Sequence, residues 1–339
     1  MNDSQTPTLA ASRLPHRLAT VLVCAVFPLI FVGGLVTTTE AGMAVPDWPN
    51  TYGYNLFLYP LSTWFAGPWD IFVEHGHRLL GAAAGFLTIA LAWSLWRHDE
   101  RRWMKGLGLA ALAAVIAQGV LGGLRVVLDA RLLAMIHGCT GPLYFALCVA
   151  LWQFTALAPA VAATNDPHAA KAFRLTLLTT CLAYFQLVLG AVVRHIPVDA
   201  APATFRTAVL FHLFMAAVVT IHVVLAVAAI LKVRQSQASL RPAAVFLGSL
   251  LLVQLALGLG TWIVNYGFPQ WVNAVVTTPN FVIRSTSLPQ VLITTSHVAV
   301  GSLIVVTSLV LTLRTRLLVR PVAAAASASL GLFLREAVT

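Results

Sequence analysis

Eight apolar runs divide the chain, at 17–38, 74–96, 103–126, 132–155, 171–193, 207–231, 243–265 and 289–313. Each is close to the ~20 residues a helix needs to cross the hydrocarbon core of a bilayer. Polar and charged positions gather in the connections between the runs. The pattern predicts an all-α integral membrane protein with eight transmembrane helices. The first run is longer than the apolar core of a secretory signal, and no small-x-small cleavage site follows it, so it is read as a span.

A finer periodicity lies inside the runs. Gln118-Gly119-Val120-Leu121-Gly122, Gln186-Leu187-Val188-Leu189-Gly190 and Gln254-Leu255-Ala256-Leu257-Gly258 repeat Q-x-x-L-G near the outer ends of spans three, five and seven. Leu29-Ile30-Phe31-Val32-Gly33 is a weaker copy in span one. The even spans carry His77, His137, His212 and His297 a few residues in from their outer ends. This is a repeat of helical hairpins. Four hairpins pair into two four-helix bundles of equal orientation, so the expected pseudo-twofold axis runs along the membrane normal. The expected division is a cytoplasmic tail 1–16, an N-terminal half 17–155 with an outer loop 39–73, and a linker 156–170. A C-terminal half 171–313 and a cytoplasmic tail 314–339 follow.

Composition agrees with this reading. The chain has 339 residues, of which 59% are apolar and 9% charged, with a mean hydropathy of +0.85. Those values exclude an ordinary soluble domain. The 21 Lys and Arg against 11 Asp and Glu would suit nucleic acid, but they sit in short loops between apolar runs. One side of the membrane receives 15 of them, from Arg13 and Arg17 through the 97–105, 171–174 and 232–241 connections to Arg335. The other receives six: Arg78, Arg125, Arg131, Arg194, Arg206 and Arg284. The richer side is cytoplasmic by the positive-inside rule, which puts both termini inside. Cys24, Cys139, Cys148 and Cys181 all lie within spans, and no CxxC or CxxCH occurs. A thiol redox pair and covalent c-type haem attachment are therefore unsupported.

The chemistry concentrates in Val73-Glu74-His75-Gly76-His77-Arg78-Leu79-Leu80-Gly81. Ionisable groups inside a span are costly and need a reason. Glu74 and His77 are three apart, on one helix face. The four histidines of the even spans lie ~6–12 Å below the outer ends of their helices, from the 1.5 Å rise per residue. Two facing imidazoles in each half suit the two axial positions of a haem iron, whereas a closed zinc site wants four ligands in one place. A bare i,i+4 pair with Arg78 also explains Glu74. Yet the second half has Val209 at the equivalent position, so one pocket has a carboxylate that the other lacks. Such a carboxylate can move protons or stabilise developing positive charge.

The remaining polar residues divide by position. Gly33, Gly122, Gly190 and Gly258 are expected to permit close helix approach, and Gln118 and Gln254 to bond across helices or to a ligand. His16, His98 and His168 are expected in water, and His222 as a structural residue. Arg194 and His195 would steady a haem propionate or face water. The aromatic-rich segment 39–73 would anchor at the headgroups or form a lid. Pro68 and Asp70 read as the approach and N-cap of the second span.

The Gly33-Gly34-Leu35-Val36-Thr37 segment, E-x-x-H-R at Glu74–Arg78, the placed histidines and the doubled four-helix plan resemble the haem A synthase family over nearly the whole chain. The resemblance implies oxidation of the C8 methyl of haem O to the formyl of haem A, for terminal oxidases. It implies that His77 and His137 ligate the substrate haem and that His212 and His297 ligate a resident haem b. Glu74 would be the acid essential to the oxidation, with the resident haem passing electrons. A bacterial cytoplasmic membrane location follows, with haem O synthase and a terminal oxidase assembly factor as partners. Residues 39–73 lack the cysteine pair of some members, which makes this the cysteine-free type. The alternative is a non-enzymatic di-haem b-type cytochrome exchanging electrons with quinone, which has no use for Glu74. A transporter with structural histidines is a third.

Overall fold

The computed structural model describes residues 12–156, 166–234, 237–278 and 282–319. Within them are eight helices long and apolar enough to cross a membrane, as the hydropathy pattern predicts. They are α1 (Leu14–Thr38), α3 (Trp69–His98), α4 (Arg102–Val127), α5 (Arg131–Thr155), α6 (Pro167–His195), α7 (Pro202–Leu231), α8 (Gln237–Tyr266) and α10 (Leu288–Leu318). Two short helices lie in loops, α2 (Leu61–Ala66) and α9 (Gln270–Asn273).

Several helices begin earlier than the apolar runs because the chain supplies polar first turns. Proline occupies the opening positions of α1, α6, α7 and α10, where its missing N–H costs nothing. Asp166 caps α6 by accepting a hydrogen bond from the His168 N–H. In α3 the N-cap is Pro68, not Asp70, which lies in the first turn. Glu74 is therefore a full turn inside the helix. The expected linker ends at Asp166, since α6 starts at Pro167; most of it, and the C-terminal tail from Arg320 onwards, fall outside the described residues.

The helix pairings fall into two closed rings. In the first half α1 packs on α3, α3 on α4, α4 on α5 and α5 on α1; in the second, α6 packs on α7, α7 on α8, α8 on α10 and α10 on α6. The halves meet through α1 with α10, α5 with α10 and α5 with α6. Two buried clusters accompany the rings, the first also taking in Val306 of α10. Leu22, Leu91, Leu95, Met104 and Phe145 centre one, and Val223, Ile230, Leu247 and Leu311 the other. Large apolar side chains such as Phe86, Trp93, Phe214 and Leu252 are exposed around the outside, as lipid-facing helices require.

The helix α10 is the most enclosed, with 56% of its apolar window buried. It meets its neighbours through small hydroxyl side chains. Thr295 faces Thr38 of α1 at 3.0 Å, while Thr312 and Thr315 face Thr180 and Thr176 of α6 at 3.2 and 3.3 Å. Small polar residues let helices approach closely in lipid and satisfy one another there. Tyr184 O–H to the Cys139 carbonyl and Arg314 Nε to Gln153 Oε1 are further bonds between the two rings.

Candidate functional site

The four histidines of the sequence repeat come together as two pairs. The His77 and His137 rings are 6.4 Å apart between centroids and nearly perpendicular, at 89°. The His212 and His297 rings are also 6.4 Å apart, at 75°. Each ring is packed by a glycine on the preceding helix. A Cβ built on Gly33, Gly122, Gly190 or Gly258 would stand 2.9, 3.1, 3.2 or 3.1 Å from Cε1 of His77, His137, His212 or His297. The glycines thus make room for imidazoles, rather than for another helix backbone.

All four Nδ1 atoms are buried without a hydrogen-bond partner among the described residues. The backbone carbonyls of Leu29, Gln118 and Gln254, each four residues before a packing glycine, lie near the His77, His137 and His297 rings without meeting hydrogen-bond geometry. Helical repetition sets this geometry: the same two residue types recur at the same register on four hairpins, so the same ring orientation results. No group of three or more His, Cys, Asp or Glu side chains gathers among the described residues.

The glutamines of the repeat differ in what they do. Gln118 bonds across to Thr140, three residues beyond His137. Gln186 donates to the His212 carbonyl at 3.0 Å, and its Nε2 lies 3.3 Å from His212 Nε2. Gln254 leaves its Oε1 buried and unpartnered among the described residues.

Glu74 is 1% exposed, and both its oxygens are engaged. Oε1 accepts from Arg78 Nη2 at 2.8 Å, and Oε2 accepts from the Val45 N–H at 2.8 Å. The i,i+4 pair exists, but it is buried, and it holds the loop between α1 and α3. Arg78 donates to the carbonyls of Val45 (2.7 Å), Asp47 (2.7 Å) and Asn50 (2.8 Å). His75 points away from His77, bonds Thr51 Oγ1 at 3.0 Å and lies against the rings of Tyr59 and Trp64. Three neighbouring residues of α3 therefore grip one loop from three directions.

The loop has its own internal order. Asp47 accepts from the N–H groups of Tyr52 and Gly53. Burial works to raise its pKa. The N–H donors of Gly53 and Tyr52, helped by the Arg78 charge, outweigh that and hold the carboxyl below its ordinary value of 3.8. The loop reaches across to α4: Trp48 lies over Gly123 so closely that a Cβ there would enter the indole, and the Arg125 guanidinium lies over Gly42. This organised cover across α3 and the end of α4 was not legible from aromatic content alone.

Of the remaining polar residues, Arg194 and His16 depart from expectation. Arg194 neither faces water nor stands free: it donates to the Gly34 carbonyl at 3.0 Å and to Thr38 Oγ1, joining α6 to the end of α1. His195 bonds the Ala191 carbonyl of its own helix, and His222 likewise bonds Val218. His16 is part-buried rather than solvated, stacked on Trp152 and 3.3 Å from Thr155 Oγ1. The four cysteines are free.

Comparison with known proteins bears on the same region. Residues 68–209 match the COX15-CtaA family, described as a cytochrome oxidase assembly protein. Among curated relatives, a heme A synthase of Shouchella clausii is 27% identical over 183 residues, 53% of this chain and 58% of its own length. One from a Methylobacterium species is 35% identical over 158 residues, 42% of each chain. One from Rhizobium etli is 27% identical over 210 residues, 51% and 54% respectively. The chain spans about half the length of the curated relatives it matches. The matched stretch contains Glu74, His77, Arg78 and His137.

Proposed function

We propose that this chain is a haem A synthase, a membrane oxidoreductase that converts the C8 methyl of haem O to the formyl of haem A. The observation that carries the reading is the pair of imidazole pairs. A metal–imidazole bond of about 2.0 Å, with about 1.1 Å more from nitrogen to ring centre, would put two imidazoles on opposite sides of one iron about 6.2 Å apart between centroids. Both pairs measure 6.4 Å. The Nδ1 atoms of all four are buried, and in His77, His137 and His297 no hydrogen bond within the described residues occupies Nε2, whereas His212 Nε2 has Gln186 beside it at 3.3 Å.

On this reading His77 and His137 hold the substrate haem, and His212 and His297 hold a resident haem b. A haem in the second site supplies one-electron transfer when bound. The protein's own part is to orient and to place charge. Each glycine fixes its imidazole. Glu74 lies on the His77 face of α3, held by Arg78 and the Val45 N–H, so its carboxylate cannot swing away. A fixed negative charge favours positive charge developing at a nearby carbon and offers a proton acceptor. The loop gripped by Glu74, His75 and Arg78 keeps water from that end of the site.

The finer assignments belong to the same proposal. The matching rings of helix pairings support a pseudo-twofold axis along the membrane normal, with halves near 17–155 and 171–313. The distribution of Lys and Arg supports cytoplasmic termini and a bacterial inner membrane. Absence of cysteine from 39–73 supports the cysteine-free type. Haem O synthase and an oxidase assembly factor are the partners this activity calls for.

The test is pigment analysis of the purified chain after expression with a source of haem O. Haem A in the wild type, with haem b but no haem A in Glu74→Ala, is the expected result. Haem b alone in both sites of the wild type would replace the enzyme with an electron carrier, and a colourless protein would remove both. His212→Ala should deplete haem b; unchanged haem content would refute the second site.

A further inference from the structure

The outer end of α4 carries a cation that the machinery above does not use. Arg125 stands one turn beyond Gly122, the residue that packs His137. It is half-buried and within electrostatic reach of His77, His137 and Glu74. Among the described residues its side chain closes no hydrogen bond and no ion pair. The nearby carboxylate is already taken, because Glu74 spends one oxygen on Arg78 and the other on Val45. A guanidinium withdrawn from water without an anion is costly.

The second half carries an independent sign at the same register. Thr261 follows Gly258 by three residues, as Arg125 follows Gly122. Its Oγ1 is buried with no partner among the described residues. Two helices that pack ligand histidines in the same way thus each present an unsatisfied polar group one turn further out. The side groups that a porphyrin places beyond its ring are carboxylates, and a guanidinium fork matches a carboxylate with two parallel hydrogen bonds.

We infer that Arg125 anchors a carboxylate of the porphyrin held between His77 and His137, with Thr261 in the corresponding place in the second half. This rests on the haem reading of the histidine pairs. It adds an asymmetry: the first site holds its porphyrin by a charge as well as by iron, and the second does so through a hydroxyl.

The test titrates the purified full chain with haem b and with haem b dimethyl ester, whose carboxylates are capped, following Soret absorbance. In the wild type the ester should bind one of the two sites about tenfold or more weakly than the free acid, as loss of a charge-assisted bidentate contact implies. Arg125→Gln should weaken haem b at that site by a similar factor and bind acid and ester alike. Arg125→Lys should keep part of the preference, and the His212/His297 site should be unchanged and report correct folding. Equal affinity of the wild type for acid and ester, or an unaltered preference in Arg125→Gln, overturns the inference while leaving the haem reading intact. Failure of the wild type to take up haem, or uptake indifferent to His77→Ala, overturns both. An anionic lipid headgroup is the competing source of negative charge. If the Arg125→Gln effect appears only in phosphatidylglycerol vesicles and vanishes in neutral ones, lipid is the occupant and the inference falls.

Discussion

Replacing Arg78 with alanine tests whether the loop between α1 and α3 is latched to α3 as the geometry indicates. The change removes four hydrogen bonds at once, to the carbonyls of Val45, Asp47 and Asn50 and to Glu74 Oε1. It also leaves a carboxylate that is 1% exposed without its cation. Breaking a buried ion pair by deleting one partner costs about 3–5 kcal/mol. At about 1.4 kcal/mol for each tenfold, loop opening should rise by roughly two to three and a half orders of magnitude. The assay is amide hydrogen exchange by mass spectrometry on peptides covering 45–53. The N–H groups of Val45, Thr51, Tyr52 and Gly53 are all bonded there. Exchange should accelerate in those peptides and stay unchanged in the cores of α5 and α10. If exchange over 45–53 rises less than about threefold, well under one tenfold step, the latch does not hold the loop. Arg78→Lys should recover little, because one ammonium cannot reach three carbonyls and a carboxylate in a fork.

The packing glycines make a second, sharper set of expectations. Gly122→Ala puts a methyl 3.1 Å from His137 Cε1 and Gly190→Ala one 3.2 Å from His212 Cε1; the first should lower haem content at the first pair, the second at the other, read by pyridine haemochrome. Loss at both sites from either change would show a general folding defect instead. Gly123→Ala drives a Cβ into the Trp48 indole; loop proteolysis should speed up with the haem spectrum little altered. The Asp47 carboxyl, held below 3.8, contributes fully above that ordinary value and loses its contribution only as pH falls below it. Proteolysis of the loop should therefore be flat from neutral pH to about pH 5 and rise only near or below the ordinary carboxylate pKa of about 3.9; a rise already at pH 6 would assign the latch to another group.

The sequence by itself determined the eight spans, the hairpin repeat and the membership of both histidine pairs. These rest on local rules: about 20 apolar residues span a bilayer, and one residue type at a fixed register of a repeated hairpin lands in equivalent places. It also marked Glu74 as singular, since Val209 stands at its counterpart. Only the tertiary structure decided what these residues touch. That the repeat glycines seat imidazoles, that Arg194 ties α6 to α1, and that His16 stacks on Trp152 depend on neighbours distant in sequence. Glu74, His75 and Arg78 could be seen as three adjacent polar residues. That they close on Val45, Asp47, Asn50 and Thr51 depended on how a loop of some 30 residues returns to its helix, and no periodicity in the chain encodes that path.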